Sequence, residues 1–406
     1  METRPPGTAT RLKHLDTRAG SARLPEPTAD AQAASLQLYR RIGEEIAQAG
    51  GWLPFSRYME LALYMPELGY YSGGAQKFGE AGDFITAPEI SPLFARSLAT
   101  PAAQVMAQSA PQILEAGAGS GLLAAELLLE LERRGNLPAR YLILELSGEL
   151  RARQRETLSR RTAHLLDRVS WLDTLPAHFA GLVLGNELLD AMPVALLVWP
   201  EPGVLLERGV SLDEAGQFCW SDRPAGPALQ TAAAQIGLQG PYPYLSEISL
   251  AAPAWVAEWG QRLERGALLL IDYGHSRSEY YLPQRSQGTL MCHYRHHAHE
   301  NPLWWPGLND ITAHVDFSAI ADAGFAAGLD VLGYLPQGRF LLNCGITELL
   351  AQIPDTRSRA YLAAARSVEK LILPHEMGER FKVIAFGRDL SEPVSGFQSG
   401  SRLHTL

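Results

Sequence analysis

Apolar and polar positions along this chain follow two periods. From residue 112 onward, apolar runs of strand length alternate with stretches whose apolar residues recur at helical spacing. The runs predict strands at 112–116, 140–145, 168–172, 181–185 and 266–272, and a last strand through Val383-Ile384-Ala385-Phe386. Helices are predicted at 121–134 and 148–160. Such alternation predicts an α/β chain with a parallel sheet covered on both faces. Ahead of it, residues 31–65 read as two helical segments broken at Gly50-Gly51, the second capped by Ser56 and stopped by Pro66. Residues 66–92 are loop-rich, and a further helix runs to about Gln108. The stretch 195–265 is too long for one crossover. Its Pro200, Pro202, Gly203 and Gly209 mark hairpin turns, and a helical stretch follows around 251–264. That pattern predicts an insertion.

Composition narrows the class. The 406 residues are 46% hydrophobic and 19% charged, enough for a sizeable core, and the net charge is −9. An acidic chain argues against a nucleic-acid partner, since phosphate backbones are held by clustered Lys and Arg. Cys219, Cys292 and Cys344 are odd in number and far apart, which suits a reducing compartment. No apolar run approaches the roughly 20 residues of a membrane span. The first thirty residues read as a disordered tail. Their Arg4, Arg11, Lys13, Arg18 and Arg23 suggest a transit peptide, but no amphipathic helix accompanies them. A bacterial cytoplasmic protein is the expectation.

Chemistry enters at Gln112-Ile113-Leu114-Glu115-Ala116-Gly117-Ala118-Gly119-Ser120-Gly121. A buried strand ends in Glu115, and glycine then recurs at every second position before a helix. Such a turn lets a ligand lie against bare backbone N–H groups. Leu122 stands where a dinucleotide fingerprint wants its last glycine, which shifts the reading from NAD or FAD to S-adenosylmethionine. In an open α/β sheet, ligands bind at the carboxyl ends of the strands. The second strand ends in Glu145, placed for two ribose hydroxyls. The third leads to Leu172-Asp173, placed for an adenine ring and its amino group. Helix or turn capping is the alternative for both acids. The fourth strand ends in Asn186-Glu187, with Asp190 three residues on. Those three are the candidate catalytic residues. If the acceptor is a guanidinium, Glu187 and Asp190 would hold its planar fork and localise its charge.

The chain resembles the MidA family. The resemblance runs from about Leu53 to Arg388 and rests on several motifs besides the glycine turn. They are Glu67-Leu68-Gly69-Tyr70-Tyr71, Gly82-Asp83-Phe84-Ile85-Thr86-Ala87-Pro88-Glu89-Ile90-Ser91 and Asn186-Glu187-Leu188-Leu189-Asp190-Ala191-Met192-Pro193. Ile271-Asp272-Tyr273-Gly274, the stretch from Pro306 to Phe317, and Gln337-Gly338-Arg339-Phe340-Leu341 complete the set. The resemblance implies a class I, Rossmann-like, seven-stranded methyltransferase core with a helical N-terminal lid region and an inserted substrate subdomain. It also implies S-adenosylmethionine as cofactor and arginine dimethylation in a respiratory-complex subunit for the mitochondrial member. The expected division is a tail (1–30), a lid region (31–110), a cofactor-binding core (111–194), an insertion (195–265), the rest of the core with a loop at 275–310 (266–390), and a flexible tail (391–406).

Three further groups need placing. Gly82, Asp83 and Thr86 read either as a lid over the cofactor's methionine end or as a structural loop. Tyr273, His314 and Asp316 read as substrate-channel residues, with Asp316 equally suited to capping the helix that follows. His293, His296, His297 and His299 lack the regular spacing of a metal site, so no metal is expected and a polar, substrate-facing loop is the default. The Trp304-Trp305 pair reads as core packing. The expected partner is a protein presenting an arginine, with a homodimer possible in principle. A small-molecule methyltransferase and a non-catalytic assembly chaperone remain alternatives.

Overall fold

The structure, a computed structural model, describes residues 24–73, 86–238 and 240–406. Gly82 and Asp83 lie outside the described residues, as does most of the expected N-terminal tail. Seven strands form the main path of the central sheet. They are β1 (Gln112–Ala116), β2 (Arg140–Leu144), β3 (Val169–Leu172), β4 (Phe179–Asn186), β5 (Leu263–His275), β6 (Asp330–Pro336) and β7 (Phe381–Arg388). Their order is β3-β2-β1-β4-β5-β7-β6, and Val315–Asp316 adds a short parallel pairing at the end of β5. β7 runs antiparallel to β5 and β6, while the pairs from β3 to β5 are parallel. The sheet is therefore mixed.

Alternating residues on each strand face opposite layers. Ile113, Ile143, Leu182, Leu184, Leu269 and Ala385 pack with the helices Ala99–Gln108 and Leu122–Arg133. Leu114, Leu142, Val183, Leu268, Leu270 and Phe386 pack on the other face, against Ala251–Arg262 and Phe317–Ala326. Burial on both faces explains why these strands read as continuous apolar runs.

Four strand segments of the 195–265 stretch fold into a second sheet: Ala195–Trp199, Leu206–Leu212, Phe218–Pro224 and Tyr244–Ile248. Its fifth strand is Leu53–Pro54 from the N-terminal region, paired with Val210 and Gly209. The insertion and the N-terminal helices thus share one core, through Leu53, Tyr58, Leu196, Val210 and Phe218.

Several boundaries differ from expectation. Ala251–Arg262, read as part of the insertion, is the helix that leads directly into β5 and packs on the central sheet. β6 was not anticipated. It carries Gly333 and ends in Pro336 at the sheet edge, so its apolar run is short and interrupted. A side chain at Gly333 would meet the Phe397 ring, which fills that space from the C-terminal segment. That segment is pinned, contrary to its reading as a flexible tail. Arg402 pairs with Glu379, its N–H donates to the Tyr334 carbonyl at 2.7 Å, and Val394 is buried.

Gly181 in β4 and Gly266 in β5 face each other in register, with φ of 137° and 134°. A Cβ on Gly266 would run into the Gly181 carbonyl, and one on Gly181 into the Gln112 carbonyl of β1. Three central strands enter the sheet in direct backbone contact there. Gly266→Ala is expected to cost ~2–4 kcal/mol, read as a lower urea midpoint with an unchanged slope.

Candidate functional site

The strand order reverses between β1 and β4, and parallel strands on either side of such a point leave a crevice at their carboxyl ends. A cavity of about 1640 Å³ opens there. The glycine turn forms one wall. Gly117, Gly119 and Gly121 all have positive φ, at 68°, 50° and 80°, a conformation that favours glycine. A Cβ on Gly117 would lie 3.1 Å from Leu188 Cδ1. Gly121 lies behind the wall, where its Cβ would press on the Gln154 backbone at 3.1 Å. Gly117, Ala118, Gly119 and Ser120 line the cavity, two of them without a side chain.

The acid ending each strand is held by a different device. Glu115 is buried and accepts a 2.6 Å bond from Tyr141 Oη, and burial pushes its carboxyl up to about 7. Glu145 follows β2 and accepts from Ser147 N–H at 2.9 Å and Gln154 Nε2 at 3.0 Å. Burial raises its pKa, and those bonds oppose the rise. Leu172 and Asp173 do not line the cavity. Asp173 is 85% exposed at its side chain and pairs with Arg151 at 2.7 Å.

At the end of β4, Glu187 adopts a left-handed φ of 50°, a strained conformation for a residue with a side chain. Its Oε1 accepts from Asn186 Nδ2 at 3.1 Å and from Ala87 N–H at 3.2 Å. Ala87 opens the short helix capped by Thr86, which also lines the cavity. Burial, then the Asp190 charge, pushes Glu187 up to about 8. Asp190 is raised to about 6 by burial, opposed by its bond from Tyr273 Oη. Among the described residues, neither carboxylate pairs with a Lys or Arg. Asp190 Oδ1 and Asn186 Oδ1 are buried with no hydrogen-bond partner.

Two organising residues escaped the sequence reading. Asp272, on β5, accepts the N–H groups of Leu188, Leu189 and Asp190 on Oδ2, at 3.1, 2.8 and 3.3 Å. Its position at the end of a predicted strand is the same signal that marked Glu115 and Glu145. Gln154 lies mid-helix with no such signal. It donates to Gly119 O at 3.2 Å and to Glu145, and accepts from Trp171 Nε1 at 2.9 Å, tying the glycine turn to the acid of β2.

Tyr273 and His314 line the cavity, and their rings meet edge-on at 5.2 Å. Asp316 does not line it. Its side chain caps the helix Phe317–Ala326, accepting from Ser318 and Ala319 N–H groups, so of its two expected roles the structure shows capping. Of the histidine cluster only His293 lines the cavity. His299 bonds Asn309 at 2.9 Å, and the described residues contain no His/Cys/Asp/Glu group suited to a metal. Trp304 is buried against Tyr294 and His299.

Residues 93–335 match a family described as "Putative S-adenosyl-L-methionine-dependent methyltransferase". The chain belongs to this family, the MidA family. It is 30% identical over 370 residues to the mitochondrial protein arginine methyltransferase NDUFAF7 of Danio rerio, covering 82% of this chain and 83% of the relative. The Homo sapiens protein of that name is 28% identical over 372 residues, covering 82% and 80%. A Burkholderia thailandensis structure bound to S-adenosyl-homocysteine is 53% identical, with a TM-score of 0.91 over 95% of this chain and 100% of that one. S-adenosylmethionine is accordingly the cofactor.

The site fits that molecule on its own geometry. The turn admits a ligand against its backbone, and Glu115, Glu145, Glu187 and Asp190 line the same cavity. No helix among the described residues is long and apolar enough to cross a membrane. A valine at Gly119 is expected to weaken S-adenosyl-homocysteine binding by more than about 100-fold, measured by calorimetry. A second prediction concerns pH. Glu187 rises from the ordinary 4.5 to about 8, so the folded chain holds the extra proton across that window. Stability is then lost as pH climbs from 4.5 to 8. Glu187→Gln should raise Tm relative to the parent at pH 8–9 and change it little at pH 5; a pH-independent difference would contradict the burial of this carboxyl.

Proposed function

We propose that this chain transfers a methyl group to an arginine side chain of a protein. The observation that carries the reading is the pair of carboxyls, Glu187 and Asp190, held at the β4 end with no Lys or Arg partner among the described residues and lining the same cavity as the glycine turn. Bound S-adenosylmethionine supplies an electrophilic methyl on a positively charged sulfur. Gly117, Gly119 and Ser120 would receive its methionine arm and Glu145 its ribose. Leu172 and Asp173 lie off the cavity and carry no role in this proposal.

A guanidinium is the cation that suits the remaining acids, because it stays charged and binds carboxylates through a planar fork. The hydrogen bonds described for Glu187 fall on Oε1, and we assign Oε2 to the substrate. An arriving guanidinium favours the ionised carboxyl, so binding releases a proton from Glu187. Glu187 and Asp190 then fix the fork, leave one nitrogen directed at the methyl, and accept the proton that nitrogen must lose. Positioning and exclusion of water are the main demands of such a displacement.

The relatives named as protein arginine methyltransferases support the arginine assignment at about 30% identity. The helix Phe55–Tyr64 forms a substrate-facing rim, since Ser56, Arg57, Glu60 and Tyr64 also line the cavity. Thr86 and the helix it caps act as part of a lid. Radiolabelled S-adenosylmethionine, incubated with extract from cells lacking this protein, tests the reading through mass spectrometry of the labelled product. Methylarginine in a protein is expected; label confined to small molecules would overturn the proposal. Glu187→Gln should leave S-adenosyl-homocysteine affinity unchanged and slow turnover by at least ~100-fold.

A further inference from the structure

Tyr273 divides the cavity into two electrostatic halves. On one side its hydroxyl is directed to Asp190 and Thr312. On the other its ring meets His314 at 5.2 Å and Phe381 at 5.4 Å. His275 lies 5.2 Å from His314 between ring centroids, and Arg285 and Arg380 line the same wall. Among the described residues, neither arginine forms an ion pair with a carboxylate. Arg285 donates to the Glu279 carbonyl, and His314 Nδ1 is buried with no hydrogen-bond partner. Burial and the positive field of Arg285 and Lys382 hold His275 near 4, and the same effects with His275 and Arg380 hold His314 near 3.

Like charges in a partly desolvated wall repel. Glu279, whose carboxylate lies 3.6 Å from His275 Nδ1, offsets part of that field. The buried acids of the strand ends lie on the other side of Tyr273. Two guanidinium forks and two imidazoles facing one volume match a carboxylate, which accepts several N–H donors at once. We infer that the wall formed by His275, His314, Arg285 and Arg380 is an anion subsite, binding a carboxylate on the same molecule whose guanidinium reaches Glu187 and Asp190. The inference rests on the arginine reading above and adds a requirement to it. The occupant we assign is an acidic side chain flanking the target arginine in the protein substrate. The α-carboxylate of free arginine offers the same chemistry from a smaller molecule. With acids at one end and cations at the other, a ligand carrying both charges enters in one orientation, and a lone cation gains half the attraction.

Binding to the full chain saturated with S-adenosyl-homocysteine tests this without requiring turnover. Fluorescent octapeptides would carry one arginine and one glutamate at each separation from two to five residues, with glutamine counterparts. At least one glutamate register is expected to bind about tenfold tighter than its glutamine partner. In the Arg285→Gln/Arg380→Gln double variant that preference should fall below about twofold, with the glutamine peptides binding as before; their retained binding reports an intact site. Equal binding of glutamate and glutamine peptides in every register overturns the subsite and leaves the arginine reading standing. A glutamate preference that survives replacement of the peptide arginine by norleucine supports the subsite and overturns the arginine reading. If free arginine binds with the same dependence on Arg285 and Arg380 and the peptides do not bind, the subsite holds but its occupant is the amino acid's own carboxylate. Binding of neither peptide nor free arginine overturns the inference.

Discussion

Five carboxyl groups crowd the carboxyl end of this sheet: Glu115, Glu145, Glu187, Asp190 and Asp272. Burial raises the pKa of each. Withdrawing a charge from water costs several kcal/mol unless other groups replace the hydration. Much of the local architecture supplies those groups. Tyr141 serves Glu115, Gln154 and the Ser147 amide serve Glu145, and three consecutive amides serve Asp272. Glu187 and Asp190 face the space a ligand enters, and Asp190 Oδ1 is buried with no hydrogen-bond partner.

Asp272 connects that electrostatic demand to the fold. Its Oδ2 gathers the amides just after β4 while its own strand, β5, runs beside β4 in register. The backbone at Glu187 is bent into a left-handed conformation within that clasp. The acid that positions the turn and the acids that use it are thus coupled, and removing Asp272 would free the strained segment to relax.

Much of the central sheet was legible in the residues because strands buried on both faces leave continuous apolar runs. β1 and the helix from 148 emerged within a residue of their predicted limits. β6 was missed because Gly333 and Pro336 interrupt its pattern, and the reason for Gly333 is a ring sixty-four residues away in sequence. Asp173 was read as a ligand contact from its strand-end position, and Asp316 as either a channel residue or a helix cap. Position along a strand says which end a residue occupies, but a neighbour such as Arg151 or an uncapped helix decides whether the side chain turns inward.

The feature most fully determined by sequence is the glycine turn, since backbone at positive φ can be recognised from residue type, and the spacing of its glycines, with Leu122 after the last, named the class of ligand. Tertiary structure alone decided that Gln154 ties the turn to Glu145, that the N-terminal strand Leu53–Pro54 completes the inserted sheet, and that Arg285 and Arg380 meet His275 and His314 on one wall. Those residues lie far apart in the chain and have no shared spacing. Local pattern encodes φ, ψ and burial, whereas the sign of the field in a cavity is a sum over every element that borders it.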